Sequence, residues 1–188
     1  VSIYVNKAIP VLGIRTQNGV VFRGEQGISP QIDYGSAVDV ETFNLGKTTL
    51  TLDVNETTGN TKIGTMTADF SAAAIANKSD RNVGLFAASS GDAFFGGLGK
   101  NASGVLNYAN ARSLLQQINP TVLDKYVYAT NDSPYSDNTQ FSDTAERYSG
   151  AYTSGIESGK FIKITLDQPA GADGIAWKAS LPVIVTYM

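Results

Sequence analysis

Three stretches of the chain hold side chains whose types and spacing bear on chemistry. Gly99-Lys100-Asn101-Ala102-Ser103, followed by Asn107, Tyr108, Asn110 and Arg112, gathers amides, two cations and an aromatic ring. Such a set suits a sugar, because amides hydrogen-bond hydroxyls and a ring covers the apolar C–H face. Helix capping and a polar helix surface account for the same residues. Asn131 to Asp143 (NDSPYSDNTQFSD) supplies oxygen ligands of the kind calcium takes. Its spacing departs from the EF-hand pattern, and Asn, Asp, Ser and Pro together are ordinary turn chemistry, so a plain solvated loop is preferred. Phe94-Phe95-Gly96-Gly97-Leu98-Gly99 is glycine-rich but lacks both phosphate-binding spacings. It reads as a tight bend around two core aromatics.

What is missing narrows the chemistry further. The chain has no histidine and no cysteine. Zinc sites built from those residues, Ser-His-Asp catalysis and Cys-His catalysis are therefore excluded. Seventeen acidic residues are present, yet no pair stands out as the two carboxylates of a glycosidase. Neither a cofactor nor a metal is called for. Asn-x-Ser/Thr triplets at Asn55, Asn77, Asn101 and Asn131 are expected by chance in so Asn- and Thr-rich a chain.

The elements that must position these residues are mostly strands. Ser2 to Val5 and Ile9 to Ile14 open the series, and Gly19 to Arg23 follows a turn at Gln17-Asn18. Thr48 to Val54 and Thr61 to Phe70 alternate about a turn at Asn55 to Asn60, which predicts a hairpin. Ala145 to Ser154, Phe161 to Leu166 and Ala176 to Tyr187 are predicted as three further strands. In the last of these, Leu181, Val183 and Val185 alternate with Pro182, Ile184 and Thr186, and Tyr187 stands next to last. One face is therefore buried, and the strand's edge needs a partner, a neighbouring strand or another protein.

Residues 83 to 119 differ, being rich in Ala, Gly and Leu. Ser103 is a candidate cap for a helix whose stripe is Val105, Tyr108, Ala111, Leu115 and Ile118, ended by Asn119-Pro120. A second short helix or extended piece is expected over Thr121 to Tyr128. The fold class is thus all-β with a small helical insertion at about 83–119, within one domain over 1–188. A net charge of −3 and the lack of a basic stripe argue against nucleic acid, and no apolar run is long enough for a membrane span. Val1 opens within a strand-like run with no signal peptide ahead of it, as in a mature or trimmed chain.

The final third resembles the FaeG-type pilins, subunits of the kappa-clade chaperone–usher fimbriae of Gram-negative enteric bacteria. The residues that carry the likeness are Ala151 to Gly159 (AYTSGIESG), Ile164 to Gln168 (ITLDQ) and Trp177 to Met188. Weaker similarity follows the family's order through Asn6 to Thr16, Ile28 to Tyr34, Asn55 to Phe70, Phe94 to Leu98 and Leu114 to Ile118. Family members begin with an N-terminal extension that donates a strand to the next subunit, followed by a first strand. Neither is recognised ahead of Val1, as expected of a truncated chain or of a relative that begins differently.

The resemblance implies an incomplete immunoglobulin-like β-sandwich completed by a donor strand. It implies an acceptor groove, also the chaperone-binding surface, along Leu181, Val183, Val185 and Tyr187. The implied partners are a periplasmic chaperone, an outer-membrane usher and neighbouring subunits, and the implied location is the extracellular fimbrium. An adhesin-type subunit would also bind host glycans through the insertion, with Lys100, Asn101, Tyr108 and Arg112 as candidates. A purely structural shaft or minor subunit is the alternative. Outside the family stands an unrelated β-sandwich enzyme or capsid-like protein, against which the missing His and Cys weigh.

Overall fold

The computed structural model describes residues 1–188. Its central element is β6 (Lys62–Lys78), an unbroken strand of 17 residues. The first half of β6 lies between β5 (Lys47–Glu56) and β10 (Phe161–Leu166). The second half pairs with β9 (Arg147–Ile156) and β7 (Arg81–Gly84). β1 (Ser2–Tyr4) extends the sheet beyond β10, and β11 (Trp177–Lys178) pairs with the end of β5. On the other side, β2 (Ile9–Arg15) and β3 (Phe22–Arg23) both pair with β9, and β8 (Asn131–Asp132) runs parallel to β7. A separate two-stranded sheet joins β4 (Pro30–Asp33) to β12 (Ile184–Tyr187). The protein is all-β with one short α-helix, as the periodicity and the resemblance predict.

The core explains the sequence of β6. Its first half alternates Met66, Ala68 and Phe70 inward, opposite Leu52, Leu50 and Thr48 of β5. Its second half is alanine-rich because it is covered on both faces. Ala72, Ala74 and Ala76 point into the main core with Ile32, Phe94 and Tyr152. Ala73 and Ile75 point the other way, beneath a helix. A strand buried on both sides loses its alternation, and small side chains let the helix approach.

That helix, α1 (Tyr108–Ile118), is started by Asn107, whose side chain accepts from the Asn110 N–H at 3.0 Å. Ser103 instead sits in a 3-10 turn, Ala102–Gly104, capped by Asn101. Tyr108, Ala111, Leu114, Leu115 and Ile118 form the buried stripe, and Asn119-Pro120 ends the helix. The expected short piece after it is a 3-10 turn, Pro120–Leu123.

The predicted final strand is two strands. Trp177–Lys178 belongs to the large sheet and Ile184–Tyr187 to the small one. Pro182 lies in the crossing between them, where a residue without an N–H removes no ladder bond. The hairpin holds, with β5 running to Glu56 and turning at Thr57 to Asn60.

Candidate functional site

β2 and β12 are each paired along one side only, as are the short strands β1, β3, β8 and β11. β2 bonds only to β9, and β12 only to β4. A cavity of about 140 Å³ is lined by Ile14 of β2 and Tyr187 of β12 together with Thr16, Phe22 and Ile28, and by Phe94 and Phe141, taken here as its floor. Along β12 and the residues before it, Leu181, Val183 and Val185 are half-buried while Pro182, Ile184 and Thr186 are exposed. Val11, Leu12 and Ile14 on β2 are likewise half-buried against the core. Two partly buried apolar rows therefore lead to the cavity, each on a segment whose strand has no partner along its other edge. Such an edge is a template for an added strand.

The floor is built with strain. Phe94 (φ 67°) and Phe141 (φ 54°) both adopt the left-handed backbone region, uncommon for bulky residues. The Phe94 ring stacks on Tyr152 at 5.3 Å and stands edge-on to Phe141 at 6.2 Å. The bend around it is pinned to β4: the Phe94 N–H donates to the Pro30 carbonyl at 2.7 Å, and the Ile32 N–H to the Phe95 carbonyl at 2.8 Å. Gln31, buried, donates through Nε2 to the Asp92 carbonyl and accepts through Oε1 from the Gly91 N–H. Gly96 (φ 90°) is required, since a Cβ there would lie 1.8 Å from the Ile32 oxygen. The glycine-rich stretch is thus a tight bend around core aromatics, joined to β4 by a single parallel bridge between Phe95 and Gln31.

A buried tyrosine pair ties this layer to the large sheet. The Tyr34 hydroxyl lies 2.7 Å from that of Tyr152 and 2.6 Å from the Ser154 hydroxyl. Tyr152 also donates to the Gly97 carbonyl at 3.0 Å. Burial pushes the Tyr34 phenol up to about 12, partly offset by its bonds to Ser154 and Tyr152. Burial pushes Tyr152 well above the usual range too, with Tyr34 beside it adding to the rise.

The candidate sugar-binding residues fall into two contact groups. Lys100 pairs with Glu41 and lies over the Phe95 ring, while Asn101 accepts through Oδ1 from the Ser103 hydroxyl and the Gly104 N–H. Arg112 lies 4.5 Å over the Tyr128 ring, which is 42 % exposed. Tyr108 is 3 % exposed and belongs to the helix's buried stripe. Tyr128 has no spacing signal in the sequence. It reaches Arg112 only because the chain returns over α1.

In the loop 131–143 the acidic groups serve local structure. Asp132 accepts from Asn82, Asp137 from Lys78, and Asp143 from the Ala145 N–H. No group of acidic residues is arranged to hold a metal ion.

No helix is long and apolar enough to cross a membrane. No curated protein matches the chain. Over residues 1–188 the chain matches the family model described as fimbrial, major and minor subunit. With that match spanning the all-β fold and its open strand edges, the chain belongs to the FaeG-type family of fimbrial subunits, which build surface fimbriae.

Proposed function

We propose that this subunit polymerises by donor-strand exchange and that the gap between β2 and β12 receives the incoming strand. The observation that carries this reading is the pair of one-sided edges flanked by half-buried apolar rows. An added strand would pair its backbone with both edges and place alternate side chains between Ile14 and Tyr187 and along Leu181, Val183 and Val185. A periplasmic chaperone fills the gap first, an outer-membrane usher exchanges it, and a neighbouring subunit fills it in the extracellular fibre. The whole of 1–188 then acts as one pilin domain. Fusing a donor segment with four alternating apolar side chains should raise stability by about 6–12 kcal/mol, at about 1.5–3 kcal/mol for each. Urea unfolding of fused and unfused protein measures this, and equal midpoints would end the proposal.

The fibre is further proposed to attach to host glycans. Arg112 over the half-exposed Tyr128 ring supports this reading, with Lys100, Asn101 and Tyr108 nearby in sequence. Single shallow sites bind weakly, so attachment would draw on many copies along a fibre. Fibres carrying Lys100→Ala and Arg112→Ala should assemble normally and lose cell adhesion. Unchanged adhesion favours the purely structural subunit.

A further inference from the structure

Behind the floor of the open gap lies a second cavity, of about 390 Å³, that strand addition does not use. It sits between the β6–β7 turn, the bend at Asp92 and the loop from Asn138 to Glu146. Its lining is almost wholly polar, and two of its members are unusual. Asp92 is 2 % exposed. Its Oδ2 accepts from the Ala88 N–H at 2.9 Å, the Asn138 amide at 3.0 Å and the Ser89 N–H at 3.4 Å. Its Oδ1 accepts nothing from the protein. Tyr148 is 3 % exposed, with its ring packed on Phe22 and Phe141. Its hydroxyl also has no protein partner. Every fully enclosed polar side-chain atom in the molecule is hydrogen-bonded, so both unpaired atoms are reachable by solvent, and both residues line the cavity.

We propose that this cavity is a binding site for a saccharide unit, separate from the surface around Arg112. The groups around it both give and accept. Asp92 Oδ1 and the unpaired Glu146 carboxylate accept. Lys78 has given two of its three hydrogens, to Asp137 at 2.9 Å and the Asn138 carbonyl at 2.8 Å, so the third is free to donate. The Tyr148 hydroxyl does either. A sugar hydroxyl donates and accepts at once, which fits this mixture. An anion would meet Asp92, Asp143 and Glu146, and a bare cation would meet the Lys78 ammonium and lacks a ready set of acidic ligands. Backbone and amide donors fix one oxygen of Asp92, which leaves the carboxylate little freedom to lose on binding.

The test uses the subunit completed by a donor strand and isotope-labelled for NMR. Glucose, galactose, mannose and their N-acetylamino forms are each titrated as the probe. At least one should shift, saturably, the amides of Ala88 to Asp92 and Asn138 to Tyr148. Tyr148→Phe keeps the ring packing and removes the hydroxyl, and it should weaken that binding about tenfold. Asp92→Asn should weaken it at least as much, with the folded spectrum retained in both variants. The proposal is overturned if no probe gives saturable shifts, if the shifts centre on α1, if calcium moves these amides and no sugar does, or if Tyr148→Phe binds as the parent does. Donor-strand complex yield is read in parallel. Both variants should leave it unchanged, so failure here is distinct from failure of the assembly reading.

Discussion

The two sides of the β9 neighbourhood are built from similar residues and end in different states. On one side, β6, β9 and α1 close over Ala73, Ile75, Leu115 and Ala151, all nearly or wholly buried. On the other, Val11, Leu12 and Ile14 of β2 stay half-buried, as do Leu181, Val183 and Val185 across the gap. Hydrophobicity alone therefore does not decide burial. The helix supplies the cover on the closed side. On the open side the chain supplies two edges and no cover, which is the contrast that the proposed strand addition would resolve.

The largest test of that contrast compares charge on the open apolar row with charge on a strand face that already meets solvent. Val183→Asp with Val185→Asp should abolish chaperone capture, since two carboxylates would have to enter an apolar gap. Thr49→Asp with Thr51→Asp, on the exposed face of β5, should leave the periplasmic yield unchanged. Equal yields from both double variants would show that the row of Val183 and Val185 behaves as ordinary surface.

Truncation sharpens the comparison. Leu115→Ala removes a fully buried side chain and should cost about 2–5 kcal/mol whether or not a donor strand is present. Val185→Ala should cost under about 1 kcal/mol in the free subunit and roughly 1–3 kcal/mol once the gap is filled. Denaturant titration of both forms reads the difference. A Val185 penalty independent of the donor would show that the row is already packed.

Alkaline titration probes the layer that the tyrosines hold together. Tyr34 carries a folded value near 12 against an ordinary value of 10.0. The unfolded chain thus gives up this proton first as pH rises. The contribution is complete below pH 10 and is lost between about 10 and 12. It amounts to about 3 kcal/mol at most. Tyr34→Phe should flatten the fall in denaturation midpoint over that interval, and a fall as steep as the parent's would place its origin elsewhere.

Much of this was legible in the sequence where the pattern is local. The β5–β6 hairpin, β10, α1 with its Pro120 stop, and the alternation of Leu181, Val183 and Val185 all follow from periodicity and turn chemistry. The second half of β6 did not, because Ser71 to Ala76 (SAAAIA) has a helix former's composition and became a strand only through cover on both faces. Spacing alone puts the helix cap at Ser103 because several Asn and Ser residues precede α1, and only geometry selects Asn107. One wall of the gap was visible in the last residues. The facing wall and the floor were not, because Ile14, Phe22, Phe94 and Phe141 are brought together by pairings between strands far apart in the chain. The cavity at Asp92 and Tyr148 has the same origin and leaves no spacing to read.

The unbroken run of β6 has a mechanical meaning. Its 17 residues extend roughly 56 Å at about 3.3 Å each. The same backbone is laced to β5 and β10 at one end and to β7 and β9 at the other. Tension entering the molecule through either group of strands passes to the other along covalent bonds, without relying on side-chain packing between layers. To part the two halves, a pull along this strand must slide its flanking hydrogen bonds together in shear. In a chain with no cysteine, β6 fills the place of a tie rod, and a fibre of such units would inherit its stiffness from backbone continuity.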